Sequence, residues 1–442
     1  MQLYHATSEQ VQSWHYHTKL PSGTGHQIME LEVIMNGLDR AAVDMAIEHL
    51  VLRHESLRTC IREVNGEIMQ CIFPYSRQLF MPSYHDIRGH SDGKEAISRV
   101  IEDGKRQLRE LDCPPLLRSS LFRISETSYF FCLLVHHIIF DEWSKMIVQR
   151  ELALFYESFR NGITPQIEPP VMQLKDYAAW QREWLMTNRQ RIHEYWMKKL
   201  SFLHAGVTRQ AIDDRLYVLD HTAAESYTYY ITQPLYDRLK ALARHCRSNI
   251  LSVLNSSIRL LFYLLKGNGK ALLATVVVAR GRPGTESIIG QLMGGAYLYQ
   301  PVPGEMMLRD FIMAAYLEIL QSSQNLIYNH EELGLDERVL RYHTDVFVNF
   351  VGTEMGQEIS VPEDGAEGVW SAEKPIYYAM SYNMTECRNG IFCIWKYNLR
   401  LYSRETILTL IKLHRELLER MCDDPVAPIG KLLKEEDPSA IY

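Results

Sequence analysis

The chain has 442 residues, a length that predicts two compact halves of about 200 residues each. Hydrophobic residues make up 46% of the sequence and charged residues 23%, a balance typical of globular proteins. The formal charge of −7, with no Lys/Arg-rich stretch to reverse it locally, argues against a nucleic-acid-binding protein.

The first half alternates predicted helices and strands. A capped helix start lies at Thr7–Trp14, and an amphipathic helix follows Asp39, its predicted N-cap. The dipeptide Asn65-Gly66 separates two short apolar runs, a pattern that predicts a β-hairpin. Strands are also expected at residues 28–34, 117–124 and 129–135, and a charged helix at 95–111.

The second half begins after a proline-containing stretch, residues 165–170. A long polar helix follows, with aromatic residues at Tyr177, Trp180 and Trp184, and such a helix suits a connection between two lobes. The Gly-containing segment Asp364–Gly368 is a loop or lid candidate. The remaining pattern predicts strands at 227–231, 271–278, 344–351, 376–383 and 390–397 and helices at 234–246, 250–265 and 405–421. This alternation indicates two α/β lobes.

Targeting and redox signals point to the cytoplasm. The longest apolar runs are too short to cross a bilayer, and the N-terminus lacks the basic-then-apolar pattern of an export signal. The eight cysteines form no CxxC pair, which predicts reduced, buried thiols and neither a zinc site nor a disulfide framework. We therefore expect a cytoplasmic protein that contacts no membrane and binds no metal.

Two adjacent histidines stand where a buried strand gives way to a loop. The apolar run Tyr129–Val135 leads directly to His136 and His137, Asp141 follows, and a helical pattern begins near Ser144 and ends at residues 161–162. Successive side chains on a strand point to opposite faces, so we expect one histidine to face a cavity and the other the protein interior. Taken alone, the HHxxxD pattern is a weak signal.

Several separated stretches together resemble the condensation domains of nonribosomal peptide synthetases, in the order of that family's motifs. They are Ser8-x-Gln10-x-x-x-Trp14, Arg53-His54-Glu55-x-Leu57-Arg58-Thr59, His136-His137-x-x-x-Asp141, Tyr177-Ala178-x-Trp180-Gln181, Arg280-x-Arg282-Pro283 with Ile289-Gly290, and Tyr397-Asn398. The resemblance implies an α/β (α+β, two-layer) fold with two chloramphenicol-acetyltransferase-like lobes in a V-shaped pseudo-dimer around a central tunnel. The expected lobes are residues 1–175, carrying HHxxxD, and residues 176–442, carrying a floor loop and a lid or latch.

The same resemblance implies a function. An acyl or aminoacyl group would pass from a phosphopantetheine thioester, supplied on an acyl or peptidyl carrier protein, to a small-molecule or carrier-bound amine, forming an amide with no intrinsic cofactor. We expect a free-standing, monomeric condensation enzyme, with an excised domain as the alternative. Ester formation with an alcohol is a second possibility, and a non-catalytic carrier-recruiting domain a third. An epimerase fits poorly, because Glu142-Trp143-Ser144 follows Asp141.

Four residues form the expected centre of the site. His137 is the expected catalytic residue, because an imidazole accepts or positions a proton near neutral pH. His136 is expected to have a structural role. Asp141 has two possible roles: it could orient His137 as in a catalytic triad, or form the buried ion pair with Arg280 that the resemblance implies.

A second set of residues is expected to contact substrate. Glu142 replaces a glycine usual in the family, and it either attracts a cationic acceptor or is a solvated acid at a helix N-terminus. Trp143 continues the motif. Gly294 and Gly295 stand where an Asn-Thr pair is usual, which predicts a wider tunnel. Asn349 and Ser381, polar residues within predicted strands, are the remaining substrate-binding candidates.

Overall fold

The computed structural model describes residues 1–19, 28–89, 92–204, 208–221, 223–266, 271–327, 330, 334–352, 368–373 and 376–433. The chain forms two compact units. Unit 1 comprises Met1–Asn188 and Val278–Met293, and unit 2 comprises Arg189–Val277 and Gly294–Tyr442. The units divide within one long helix and unit 1 includes a segment from the second half, whereas the expected lobes divide after residue 175. Residues 364–367 of the lid candidate lie outside the described residues.

Unit 1 contains two sheets. Its elements are β1 (Gln2–His5), α1 (Ser8–Lys19), β2 (Ile28–Asn36), α2 (Arg40–Arg53), β3 (Thr59–Val64), β4 (Glu67–Ile72), α3 (Arg77–Phe80), β5 (Ser83–Asp86), α4 (Gly93–Gln107), β6 (Leu117–Arg123), β7 (Ser128–His136), α5 (Glu142–Arg160) and the beginning of α6 (Leu174–Lys199). Strands β2-β7-β6-β5 form one sheet, and β1-β4-β3 form the other. Strand β7 is therefore an inner strand, and it brings its last residue to the edge of a buried core.

Local sequence signals account for much of unit 1. The Asp39 carboxylate accepts a hydrogen bond from the Ala42 backbone nitrogen at 3.1 Å, so the predicted N-cap of α2 is confirmed. Helix α2 packs its apolar face against α5. Asn65 and Gly66 both adopt positive φ, +53° and +81°, as a tight hairpin turn between β3 and β4 requires. The predicted hairpin is confirmed.

Unit 2 is built on one seven-stranded sheet. Its elements are the end of α6, α7 (Arg209–His221), β8 (Ala224–Thr232), α8 (Gln233–His245), α9 (Ile250–Lys266), β9 (Leu273–Val278), β10 (Met293–Leu298), α10 (Leu308–Ser323), α11 (Glu337–His343), β11 (Val346–Val351), β12 (Val369–Glu373), β13 (Met380–Cys387), β14 (Gly390–Asn398), α12 (Arg404–Asp423) and α13 (Ile429–Leu433). The strand order is β10-β9-β11-β13-β14-β8-β12. Helices α8, α9 and α12 cover the core on one face of this sheet.

Two sequence expectations need correction. The strand expected at 376–383 is Met380–Cys387, because the backbone before it bonds elsewhere: the Tyr377 carbonyl accepts from Arg341 Nε at 2.5 Å. All eight cysteines are free thiols, but Cys113 is exposed and Cys422 is half-buried, so the prediction of buried thiols is wrong for these two.

No single helix among the described residues has the length and hydropathy to cross a bilayer. Only α8 and α9, bent by 100°, reach that threshold as a pair.

Candidate active site

The two histidines are separated by the end of a strand. Strand β7 ends at His136, and a 3-10 turn, His137–Ile139, begins at the next residue. The Phe140 backbone nitrogen donates to the His137 carbonyl at 3.0 Å and closes this turn. His136 is buried and only 1% exposed, whereas His137 is half-buried. The two rings therefore differ in exposure, and the 3-10 turn separates them rather than strand alternation.

The contact made by His137 fixes its tautomer. Its Nδ1 lies 2.5 Å from the Phe140 carbonyl oxygen. A carbonyl oxygen can only accept, so Nδ1 must carry the proton in this contact. In the neutral ring Nε2 then holds the lone pair, and that nitrogen is the atom available to take a proton from a reacting group.

The His136 ring adopts the opposite tautomer. Its Nδ1 accepts a hydrogen bond from the Ile138 backbone nitrogen at 3.1 Å, so Nε2 carries the proton in the neutral ring. Burial, followed by the charges of His17 and His137, lowers the pKa of His136 well below 6.5. The ring is therefore neutral at physiological pH, and it stabilises the turn that carries His137.

Asp141 is the N-cap of α5 and the centre of a dense hydrogen-bond cluster. Its carboxylate accepts from the Ser144 backbone nitrogen at 2.7 Å and from the Ser144 hydroxyl at 2.6 Å. Arg280 Nη2 donates to both carboxylate oxygens, at 3.0 and 2.9 Å, and the Leu292 nitrogen donates at 3.1 Å. The buried ion pair implied by the resemblance is present. Because the Nδ1 partner of His137 is the Phe140 carbonyl, the geometry does not form the alternative triad.

Arg280 holds the loop of residues 278–293 in place within unit 1. Its Nη1 donates to the carbonyls of Thr285 and Ile288 at 2.7 and 2.8 Å. Trp143 contacts the same loop: its indole nitrogen donates to the Glu286 carbonyl at 3.0 Å, and its ring centre lies 5.6 Å from the Arg280 guanidinium carbon. Trp143, one of the substrate-binding candidates, therefore packs against this loop.

Glu142 is the first residue of α5. Its carboxylate lies 3.6 Å from Lys145 Nζ, with 21% of the side chain exposed. This is the helix-terminal position that the sequence left open, where a negative charge meets the positive end of the helix dipole. An ordinary helical backbone suits glutamate, so the glycine usual in the family is not needed at this position.

Gly294 and Gly295 allow two chain segments of unit 2 to approach closely. A Cβ at Gly294 would lie 2.5 Å from the Leu326 Cβ, and the Gly295 and Ile327 backbones exchange two hydrogen bonds of 2.9 Å. The space beside Gly294 is therefore filled by Leu326. The expected widening is not seen at this position.

Asn349 and Ser381 lie on one face of the unit 2 sheet. Asn349 pairs with Asn383 across the parallel strands β11 and β13, and Ser381 pairs with Lys396 across β13 and β14. The alternate residues of these strands, Val348 among them, pack into the core on the opposite face. Asn383 and Lys396 thus share the face of the two candidates. The alternation of side chains along β13 and β14 already placed Asn383 and Lys396 on this face, but the sequence interpretation did not single them out.

The first turn of α1 adds a buried carboxylate that the sequence interpretation also missed. Glu9 is 2% exposed, and its Oε2 accepts from Gln181 Nε2 at 2.8 Å. Within the described residues its Oε1 has no hydrogen-bond partner. Burial raises the pKa of Glu9 to about 7. No group of three or more metal-ligating side chains occurs in the part of the chain that the structure describes.

Solved structures of other proteins have the same fold. A structure described as the molecular basis for condensation domain-mediated chain release from the enacyloxin polyketide synthase superposes with a TM-score of 0.75 at 17% identity, covering 96% of this chain and 84% of that one. The complex of the X-domain and OxyB from teicoplanin biosynthesis gives 0.74 at 19% identity, covering 99% and 97%. The chain thus has the chloramphenicol-acetyltransferase-like fold of condensation domains.

Sequence comparison leads to the same family. A linear gramicidin synthase polypeptide of Brevibacillus parabrevis is 28% identical over 437 residues, which is 95% of this chain and 8% of that synthase. The chain therefore spans less than a tenth of that relative. The family model described as Condensation domain matches residues 2–441. Because that match covers nearly the whole sequence, the chain belongs to the condensation domain family.

Proposed function

We propose that the chain is an acyltransferase that moves an acyl or aminoacyl group from a carrier-protein phosphopantetheine thioester to an amine, forming an amide in nonribosomal peptide or related natural-product biosynthesis. The observation that carries this proposal is the His137 ring, which has Nδ1 protonated against the Phe140 carbonyl and Nε2 left as a proton acceptor. Membership of the condensation domain family supports it. The phosphopantetheine arrives on the carrier protein, as part of the substrate.

The chemistry requires one proton to move. The amine nitrogen attacks the thioester carbonyl carbon, and the nitrogen must lose a proton as the tetrahedral centre forms. His137 Nε2 accepts that proton, and the imidazolium returns it to the sulfur as the C–S bond breaks, so the products are an amide and a free thiol. Holding the two substrates in line supplies much of the remaining rate enhancement.

Asp141 and Arg280 take no direct part in the proposed proton transfer and instead stabilise the structure around His137. Their ion pair caps α5 at the residue that follows Phe140, and Phe140 supplies the carbonyl that orients His137. They are positioning residues in the proposed mechanism, since Asp141 accepts from Arg280, Ser144 and the Leu292 backbone, and the two Nη atoms of Arg280 donate to Asp141 and to loop carbonyls.

Substrate recognition is proposed for the face of the unit 2 sheet opposite its apolar core. Asn349, Ser381, Asn383 and Lys396 supply amide, hydroxyl and ammonium groups on neighbouring strands. On a sheet whose other face is packed with apolar side chains, such a face suits recognition of a polar acceptor.

The test is acyl transfer from a purified, loaded acyl carrier protein to panels of amines and alcohols. We expect amide products with the wild type, and we expect His137→Ala to lower kcat/KM by about 10²- to 10⁴-fold, the usual contribution of a general base. His15→Ala, at an exposed histidine of the same unit, is the matched control and should keep wild-type activity. Ester products alone would assign an alcohol acceptor.

A partner-binding domain without catalysis is the second candidate, since the structure compared above contains an X-domain bound to OxyB. Equal product from the wild type and His137→Ala, or no product from either together with carrier-protein binding, would favour that function over acyl transfer.

A further inference from the structure

A buried glutamine lies in the first turn of α1. Gln10 is fully buried, and its side chain forms a capping box with Thr7. Gln10 Oε1 accepts from the Thr7 backbone nitrogen at 3.0 Å, and the Thr7 hydroxyl accepts from the Gln10 backbone nitrogen at 3.1 Å. This pairing assigns the oxygen of the Gln10 carboxamide, so the nitrogen must point the other way.

The nitrogen of that carboxamide contacts the turn that carries His137. Gln10 Nε2 donates to the Ile138 carbonyl at 3.1 Å, a contact between residues 128 positions apart in the sequence. A capping box can be formed by glutamate as well as by glutamine. An ionised glutamate, however, has no donor to offer the Ile138 carbonyl. The residue type at position 10 is therefore explained by this second contact.

The contact fixes the middle of the turn from both sides. The Ile138 nitrogen donates to His136, and its carbonyl accepts from Gln10. Two residues further along the chain, the Phe140 carbonyl accepts the hydrogen bond from His137 Nδ1. A rotation of the peptide after Ile138 would move that carbonyl, and with it the direction of His137 Nε2.

We propose that Gln10 is a positioning residue for His137, and that its Nε2–H group keeps the 3-10 turn in the conformation that directs His137 Nε2 toward the reacting proton. The inference rests on the acyl transfer proposed above. Gln10 touches no reacting atom in it, because the side chain is buried and both of its polar ends are used within unit 1.

The test uses Gln10→Glu, which keeps the shape and the capping-box oxygen and, once its carboxyl group is ionised, removes the donor to Ile138. Gln70→Glu is the matched control: Gln70 is 1% exposed, and its Nε2 donates to the His5 carbonyl at 2.9 Å, away from the turn. Both variants bury a carboxyl group, so both should lose stability. We expect only Gln10→Glu to lower kcat, by about 10- to 100-fold with KM for the donor unchanged, because small misplacements of a catalytic group are costly.

A pH profile separates positioning from simple destabilisation. When protonated, the carboxyl group introduced by Gln10→Glu again offers an O–H donor to Ile138, so the ratio of variant to wild-type kcat should rise as pH falls. The Gln70→Glu variant should show no such rise. Equal kcat in Gln10→Glu and wild type, compared at equal folded fractions, would overturn the proposal, as would equal kcat losses in the two variants.

A spectroscopic measurement distinguishes failure of this inference from failure of the proposed function. Nitrogen-15 NMR of the His137 ring reports its tautomer without any turnover. We expect protonated Nδ1 in the wild type and a mixture of tautomers in Gln10→Glu. If the wild type transfers no acyl group, an altered tautomer still supports positioning by Gln10, and an unaltered one rejects it.

Discussion

Two carboxylates buried in unit 1 have opposite environments. Asp141 and Glu9 are 1% and 2% exposed. Asp141 accepts hydrogen bonds from a guanidinium, a hydroxyl and two backbone nitrogens. Glu9 accepts one from the Gln181 amide, and its second oxygen has no partner within the described residues. Burial alone therefore does not decide what a buried acid does; its donors do.

The difference separates a charged structural element from a proton-bearing one. Each donor compensates part of the desolvation cost of a negative charge, and a buried cation compensates most. Asp141 pairs with Arg280 and holds α5 against the loop of residues 278–293. Glu9 has fewer donors, so burial raises its pKa to about 7. The first acid therefore holds two segments of unit 1 together, whereas the second gains its charge near neutrality.

The largest expected effect comes from breaking the Asp141 cluster. Asp141→Ala leaves the Arg280 charge buried without its partner, which costs about 3–5 kcal/mol of unfolding free energy. Urea denaturation measures the loss. The double variant Asp141→Ala with Arg280→Met removes both charges and should recover part of it. Additive losses in the double variant would show that the pair is not coupled, and would remove the contrast with Glu9.

The second prediction concerns Glu9 and the direction of its pH dependence. Its pKa is raised from 4.5 to about 7 in the folded chain, so the folded state binds more protons between those values. The unfolding free energy therefore falls as pH rises through this window, by about 3 kcal/mol in total. Glu9→Gln keeps an acceptor for Gln181 and carries no charge, so relative to wild type it should gain that stability between pH 5 and pH 8.

The control for this measurement is Glu32→Gln, at an exposed position on β2. The difference between that variant and the wild type should stay nearly constant with pH. A Glu9→Gln difference that is also constant from pH 5 to pH 8 would show that Glu9 is charged throughout, and that its environment resembles that of Asp141 after all.

Features set by neighbouring residues were predictable from the sequence. The Asp39 cap, the Asn65-Gly66 hairpin and the strand leading to the histidines each depend on a few adjacent residues. The strand expected to begin at residue 376 begins four residues later, at Met380. The Tyr377 carbonyl before it accepts a hydrogen bond from Arg341, a side chain distant in the sequence. Local propensity contains no information on such a bond.

The candidate site shows the same division between features set by neighbouring residues and features set by distant contacts. The HHxxxD pattern made His137 a candidate, and family resemblance supplied the Asp141–Arg280 pair, whose members are 139 positions apart. Neither source indicated that the partner of His137 is the Phe140 carbonyl, since this depends on the strand ending one residue earlier. The roles of Glu9 and Gln10 were also hidden, because they follow from burial and from contacts that close long loops.

The smallest expected effect comes from Asp39, which caps α2 as Asp141 caps α5 but is exposed and, within the described part of the chain, forms no ion pair with a buried cation. Asp39→Ala should cost about 1 kcal/mol, the usual value for an N-cap, and Asp39→Asn, which retains an acceptor, much less. Urea midpoints at constant slope measure both. A loss at Asp39 as large as that at Asp141 would mean that capping, and not the buried guanidinium, accounts for the stability of the Asp141 cluster. A loss near ~1 kcal/mol would assign the larger share of the stability of the Asp141 cluster to Arg280. The buried guanidinium would then also account for the contrast between Asp141 and Glu9.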